Sequence, residues 1–228
     1  MNTMAKLMIA LDYTDAVEAL NMATTLQGKV PWMKVGLELF TREGPMVVKT
    51  LKRMGFNVML DLKLFDIPNT VRGGVRAASW IGADLITVHL MGGERMCAAV
   101  LEERAGLEHK PMIFGVTVLT SLDDGESPGR TDLRDLAVEL ADKAALWGLD
   151  GAVCSGLDVS GIKAAHPSLL CLTPGIRPSG SPVDDQRRVV TPAEAVAAGS
   201  DFLVVGRPVT QAKDPVAATA AILAEMTK

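Results

Sequence analysis

Eight short apolar runs, spread along the whole chain and separated by helical segments, restrict the folds open to this sequence more than any other feature. They are Lys6–Leu11, Trp32–Val35, Asn57–Leu62, Leu85–Val88, Met112–Val118, Gly151–Cys154, Leu169–Leu172 and Phe202–Val205. Each is four to seven residues long and mostly unbroken by polar residues. A strand wetted on one face alternates apolar with polar side chains. Unbroken runs instead fit strands covered on both faces, as in a parallel sheet between helices.

The segments between the runs carry helix punctuation. Thr191-Pro192-Ala193-Glu194 reads as a capping box with proline at the first helical position. Asp214-Pro215 opens the last helix in the same manner, and Pro45 opens one that Gly55 closes. A Gly-x-Asp triplet precedes three of the strands, at Gly82–Asp84, Gly148–Asp150 and Gly199–Asp201. Glycine there stops the helix in a left-handed conformation. Eight strands alternating with helices, without a linker-like tract, predict one α/β domain over residues 1–228, a (β/α)8 TIM barrel. An open doubly wound sheet is the alternative. The first strand, however, runs into Asp12-Tyr13-Thr14 and not into a Gly-x-Gly-x-x-Gly turn.

Composition excludes several classes. At 48% apolar residues the chain is too hydrophobic for a disordered state. No stretch reaches the roughly 18 uninterrupted apolar residues of a spanning helix, so no membrane is expected. The run Leu7–Leu11 is too short for a secretory signal and has only Lys6 as a basic flank, which predicts a cytoplasmic chain. Net charge is −4, and no basic run is longer than Arg187-Arg188, so nucleic acid is not an expected partner. Cys97, Cys154 and Cys171 are odd in number and far apart, which speaks against a disulfide framework or a zinc site.

In a β/α barrel the chemistry sits at the C-terminal ends of the strands. The residues ending the runs are Asp12, Lys34, Asp61 with Lys63, His89, Thr120 with Ser121, Ser155, Arg177 and Gly206-Arg207. Asp61 and Lys63 are two apart in one strand and so share a face. Lys34, ending the neighbouring strand, would join them at the barrel mouth. Buried charges must compensate one another, so these groups are expected to pair. The eighth strand ends Gly206-Arg207, a close backbone approach followed by a bidentate fork for an oxyanion. Arg177 ends the seventh, and loops seven and eight often hold phosphate in such barrels. Gln186 lies in the long segment Arg177–Val190, whose length suggests a lid. His89 reads as a hydrogen-bonded wall of the site. The residues alone thus predict a phosphorylated small substrate, an Asp/Lys-based reaction, and no metal or organic cofactor.

Asp61-x-Lys63-x-x-Asp66-Ile67-Pro68-Asn69-Thr70 resembles the signature of the orotidine 5′-phosphate decarboxylase family. The resemblance spans the chain. It includes Ala10-Leu11-Asp12, Lys34-Val35-Gly36, Thr117-Val118-Leu119-Thr120-Ser121, Pro174-Gly175-Ile176-Arg177 and Val205-Gly206-Arg207-Pro208. It implies a homodimer that converts orotidine 5′-phosphate to UMP and CO₂ without a cofactor, the last step of pyrimidine synthesis. Lys63 would then give a proton to C6 of the pyrimidine, with Asp61 beside the leaving carboxylate. Asp66, with Ile67 and Thr70, would cross to the other subunit's site. Asp12 and Lys34 would hold the ribose, and Thr120 with Ser121 the pyrimidine amide edge. Arg207, Gly206, Gln186 and Arg177 would clamp the phosphate.

Two other readings remain open at the level of sequence. One is a Mg²⁺-dependent sugar-phosphate lyase or decarboxylase of the same suprafamily. Those relatives are expected to carry an acidic residue near the end of strand two, where this chain has Lys34. The other is a catalytically silent phosphate-binding barrel, which would have no need of an amine between carboxylates.

Overall fold

A computed structural model describes residues 5–122, 132–178 and 188–227. Its strands are β1 Lys6–Ala10, β2 Trp32–Gly36, β3 Asn57–Leu64, β4 Leu85–His89, β5 Met112–Val116, β6 Gly151–Val153, β7 Leu170–Thr173 and β8 Phe202–Val205. They pair in chain order, all parallel, and β8 pairs with β1 to close the barrel. The helices are α1 Ala16–Leu26, α2 Leu37–Glu43, α3 Pro45–Arg53, α4 Pro68–Trp80, α5 Gly93–Gly106, α6 Leu133–Leu146, α7 Val159–Ala165, α8 Pro192–Ala198, α9 Arg207–Thr210 and α10 Pro215–Glu225. This is the (β/α)8 barrel that the run pattern predicts. Among the described residues no helix is long and apolar enough to cross a membrane.

All eight expected strands form, with ends that move by one or two residues. β5 stops at Val116, short of the expected Val118, although the Thr117 N–H and hydroxyl both still bond to the Val153 carbonyl. β3 runs two residues further than expected, to Leu64, through an irregular register against β4. The caps form as read. Thr191 and Glu194 make both bonds of the capping box, and Asp214 accepts from the Ala217 N–H.

Alternation along the strands produces two cores. One side of each strand faces the helices, where Leu7, Ile9, Met33, Val35, Val58, Leu60, Ile86 and Val88 pack with residues such as Ala23, Val48, Val75 and Val100. The other side fills the barrel with Met8, Trp32, Met59, Leu85, Phe114, Val116, Val153, Leu172 and Phe202. The Phe202 ring meets Trp32 and Phe114 edge-on, at centroid distances of 5.5 and 5.8 Å. Edge-to-face contacts of this kind add to the area buried. One step of two residues further along the same inward columns, Met8 gives way to Ala10, Trp32 to Lys34, Met59 to Asp61 and Leu85 to Thr87. The column turns polar as it reaches the mouth.

The opposite end is held by a repeated brace. The glycine of each Gly-x-Asp triplet has a positive φ of 90°, 82° and 102° for Gly82, Gly148 and Gly199. The turn delivers an aspartate that accepts the N–H of the second residue of the preceding strand. Asp84 takes it from Val58, Asp150 from Ile113 and Asp201 from Cys171, each at 2.7 Å. The same carboxylate oxygen pairs with a base in the last turn of the helix that leads into that preceding strand. Lys52 reaches Asp84 at 2.5 Å, Lys163 reaches Asp201 at 2.7 Å, and Arg104 bonds to Asp150. Each brace therefore ties strand, helix and next strand together. The unit β1–β2 has no counterpart, since Gly28-Lys29-Val30-Pro31 leads into β2 without an aspartate.

Candidate active site

The inward residues at the C-terminal strand ends line a cleft of about 280 Å³. Asp12, Lys34, Asp61, Lys63, Thr120, Ser121, Arg177, Gly206 and Arg207 all border it. Nine of the site residues expected from sequence are thus brought to one cavity, from six of the eight strand ends.

Two ion pairs form the charged floor. Lys34 Nζ bonds to Asp12 Oδ1 at 2.5 Å, with the lysine side chain 10% exposed and the aspartate open to solvent. An ammonium this deeply placed requires such a partner. Gly36 keeps the pair in place. A Cβ there would lie 2.9 Å from Lys34 Nζ and 3.3 Å from Asp12 Oδ1. The second pair is Lys63 Nζ with Asp61 Oδ2 at 2.9 Å. Lys63 is the only non-glycine residue described with a positive φ, at 49°. It sits in the irregular stretch of β3, where a regular pleat would have held the two side chains a full repeat apart.

Fully buried Thr87 of β4 completes this corner. Its hydroxyl donates to Asp61 Oδ1 and accepts the Lys63 backbone N–H, both at 3.0 Å. His89 ends the same strand as a half-buried wall. Burial, and then the Lys63 charge, lower its pKa below the ordinary imidazole value, so it is neutral at neutral pH. Its Nδ1 accepts the Met91 N–H at 3.4 Å, and its ring lies 5.5 Å from that of Phe65.

Another part of the cleft wall comes from the segments after β7 and β8. Pro174, Gly175 and Arg177 border the cleft, as do Gly206 and Arg207. A Cβ at position 206 would meet Ala10 and Asp12 at 3.6 Å, an ordinary contact. The described ends of the segment after β7 meet. Ile176 and Val190 form a parallel bridge, and the Arg177 N–H donates to the Val190 carbonyl at 2.9 Å. Val190 packs so closely on Gly156 that a Cβ there would fall 2.3 Å from its Cγ2. Beside it Arg188 pairs with Asp158, whose side chain is fully buried. Burial pushes the Asp158 carboxyl up and the Arg188 charge pulls it back. Gln186, expected in the phosphate clamp, lies outside the described residues.

Asp66, Ile67 and Thr70 do not border the cleft; all three are exposed on the loop after β3 and the first turn of α4. Asp66 Oδ1 accepts the Ile67 N–H at 2.6 Å. Around them Leu37, Phe65, Ile67 and Met91 are each more than half exposed. They follow the adjacent strands β2, β3 and β4, at the end of the barrel that carries the cleft.

Sequence reasoning missed Thr87, which sits inside an apolar run, and Leu119, Pro174 and Gly175 on the cleft wall. Thr87 was open to discovery. It lies two residues before His89, on the same face of β4, and β4 neighbours the strand that carries Asp61 and Lys63. The three cysteines are free and buried, as read. Burial pushes the Cys97 thiol up to about 11, far from a reactive thiolate. Among the described residues no three acidic, histidine or cysteine side chains form a group that could hold a metal ion.

Comparison with known proteins agrees with this geometry. The family model described as orotidine 5′-phosphate decarboxylase / HUMPS matches residues 5–222. The chain is 58% identical over 218 residues to an orotidine 5′-phosphate decarboxylase of Lawsonia intracellularis, covering 93% of this chain and 95% of that one. It is 57% identical over 233 residues to the enzyme of the same name from Nitratidesulfovibrio vulgaris, covering 98% of both. Among solved structures, orotidine 5′-phosphate decarboxylase from Lactobacillus acidophilus superposes with a TM-score of 0.84 at 36% identity. That match covers 98% of this chain and all of the other.

Proposed function

The chain belongs to the orotidine 5′-phosphate decarboxylase / HUMPS family, and from that premise we infer that it is a carboxy-lyase converting orotidine 5′-phosphate to UMP and CO₂. The observation that carries this reading is the Lys63–Asp61 pair set beside Lys34 and Asp12 in one cleft. The family joins two chemistries, one of them metal-assisted. The curated relatives that match this chain almost end to end carry the decarboxylase name. Two lysine ammoniums bordering the cleft would also repel a divalent cation.

The residue roles follow from what the reaction needs. Breaking the bond from C6 to the carboxylate leaves the electron pair in an orbital in the ring plane, which the ring π-system cannot delocalise. With no electron sink, the charge must be met by a preorganised dipole or cation. The Lys63 ammonium meets it, then transfers a proton from Nζ to C6, and water reprotonates the amine. Asp61 pairs with that ammonium and holds it in place. Lys34 and Asp12 take the ribose hydroxyls. Thr120 and Ser121 face the pyrimidine amide edge. Arg207, Gly206, Arg177 and Gln186 receive the phosphate, whose binding energy, remote from C6, orders the site.

Asp66, Ile67 and Thr70 complete the site of a second copy in a homodimer. Support comes from their exposure outside the cleft and from the exposed apolar side chains of Leu37, Phe65, Ile67 and Met91 at the same end of the barrel. The protein works as one barrel domain over residues 1–228. Free thiols at all three cysteines suit the reducing cytoplasm.

The direct test is the ultraviolet absorbance of orotidine 5′-phosphate with EDTA-treated protein. The expected result is a decay that yields UMP. No decay, with activity on a sugar phosphate restored by Mg²⁺, would overturn the assignment in favour of the metal-assisted branch. No decay under any condition would leave a binding barrel. The dimer has its own test. Asp66→Ala and Lys63→Ala are each expected to be nearly inactive. Mixed with proven subunit exchange, they should regain up to about a quarter of wild-type activity, through the one site per hybrid dimer that is intact. Absence of recovery would show that Asp66 serves its own chain.

A further inference from the structure

Thr87 has no place in the roles given so far, yet it hydrogen-bonds to both members of the Lys63–Asp61 pair. Between the paired positions Leu60–Ile86 and Leu64–Val88, β3 carries Asp61, Leu62 and Lys63, whereas β4 carries Thr87 alone. Two extra residues on one strand interrupt the ladder. The Thr87 hydroxyl takes over the lost bonding. It accepts the Lys63 N–H at 3.0 Å and gives its single proton to Asp61 Oδ1 at 3.0 Å. Asp61 Oδ2 in turn binds Lys63 Nζ at 2.9 Å. Backbone, ammonium, carboxylate and hydroxyl thus close a ring.

Lys63 sits at φ 49°, a conformation that lysine adopts only where its surroundings over-determine it. The ring supplies that determination. A hydroxyl offers one proton, and this one is spent on the carboxylate, so the rotation of Asp61 is fixed as well. Thr87 is fully buried, so its hydroxyl is shielded from solvent.

We propose that Thr87 is a positioning residue for the decarboxylation. Its hydroxyl holds the Lys63 backbone in the left-handed turn and the Asp61 carboxylate in one rotamer, so that Lys63 Nζ meets C6 without rearranging. This inference rests on the reading of Lys63 as proton donor. It adds that the donor's aim is set from the neighbouring strand.

Thr87→Val keeps the shape and removes the hydroxyl; Thr87→Ser keeps the hydroxyl and removes a methyl. With orotidine 5′-phosphate, Thr87→Val is expected to lower kcat by about 10- to 100-fold, the span that one hydrogen bond to a charged group accounts for. KM and UMP affinity should stay within about threefold, since Thr87 does not border the cleft. Thr87→Ser should recover most of the loss. A purely structural role would lower the melting temperature and leave kcat per folded enzyme unchanged. Should Thr87→Val fail to fold, Thr87→Ala, which adds no bulk, gives the same comparison with Ser. Wild-type kcat in Thr87→Val or Thr87→Ala, or equal losses in Val and Ser, would overturn the proposal. Wild-type and Lys63→Ala proteins run in the same assay separate the two levels. If wild type turns over and Lys63→Ala does not, a neutral Thr87→Val refutes the positioning role alone. Full activity in Lys63→Ala refutes the reading beneath it.

Discussion

Lys63→Ala is expected to lower kcat by at least about 10⁴-fold while UMP affinity changes by less than about tenfold. General acid catalysis by a placed group contributes about 10²–10⁴-fold. Loss of a preorganised charge at the developing anion costs about 10²–10³-fold more. Here one side chain does both, so the two losses fall together. Lys63 Nζ is held by Asp61 at 2.9 Å inside the cleft, which gives the amine a fixed position. Binding is expected to survive because the contacts proposed for phosphate, ribose and base come from other side chains. Stopped-flow or absorbance assays for turnover, with calorimetry for UMP, would check the split. An alanine variant with kcat within about tenfold of wild type would remove Lys63 from the chemistry.

Arg207→Ala is expected to reduce kcat/KM for orotidine 5′-phosphate by about 10²–10³-fold, and to leave the slow turnover of phosphate-free orotidine unchanged. Truncating one partner of a hydrogen-bonded charge pair typically costs about 2–5 kcal/mol. Arg207 borders the cleft next to Gly206, and Arg177 lies on the same cleft. Part of the loss should appear in kcat as well as in KM, since remote binding energy is used to order the reacting end. Added inorganic phosphite, a stand-in for the missing group, should speed orotidine turnover in wild type and fail to do so in Arg207→Ala. Equal activation in both proteins would take the phosphate from Arg207.

The barrel and most of its mouth were legible because both follow from simple periodicities. A strand covered on two faces has no choice but an apolar run, and a charged residue at the end of one has few places to go except the mouth. That logic located Asp12, Lys34, Asp61, Lys63 and Arg207. It could not locate the irregular stretch of β3, because a left-handed lysine runs against the preference of its own residue type and is imposed by the neighbouring strand. Nor could it see Thr87, since a β-branched threonine between Ile86 and Val88 reads as strand filler. The Asp158–Arg188 pair was hidden for another reason. Its members are 30 residues apart, and only the closing of the loop by Ile176 and Val190 brings them together. The braces were half legible. The Gly-x-Asp spacing showed as a recurring unit, but not the base and the strand N–H that each aspartate joins.

Those braces divide labour along the barrel axis. Asp84, Asp150 and Asp201 fasten successive βα units at the rim remote from substrate. None of the three borders the cleft. A substitution in the mouth therefore leaves the fastening untouched, and a substitution in the fastening leaves the reacting groups in place. For a lineage under selection this amounts to two nearly independent inheritances, one for persistence and one for chemistry. A scaffold so arranged can exchange its reaction by rewriting a few strand ends, and a family whose members share one barrel but break different bonds is the expected historical outcome.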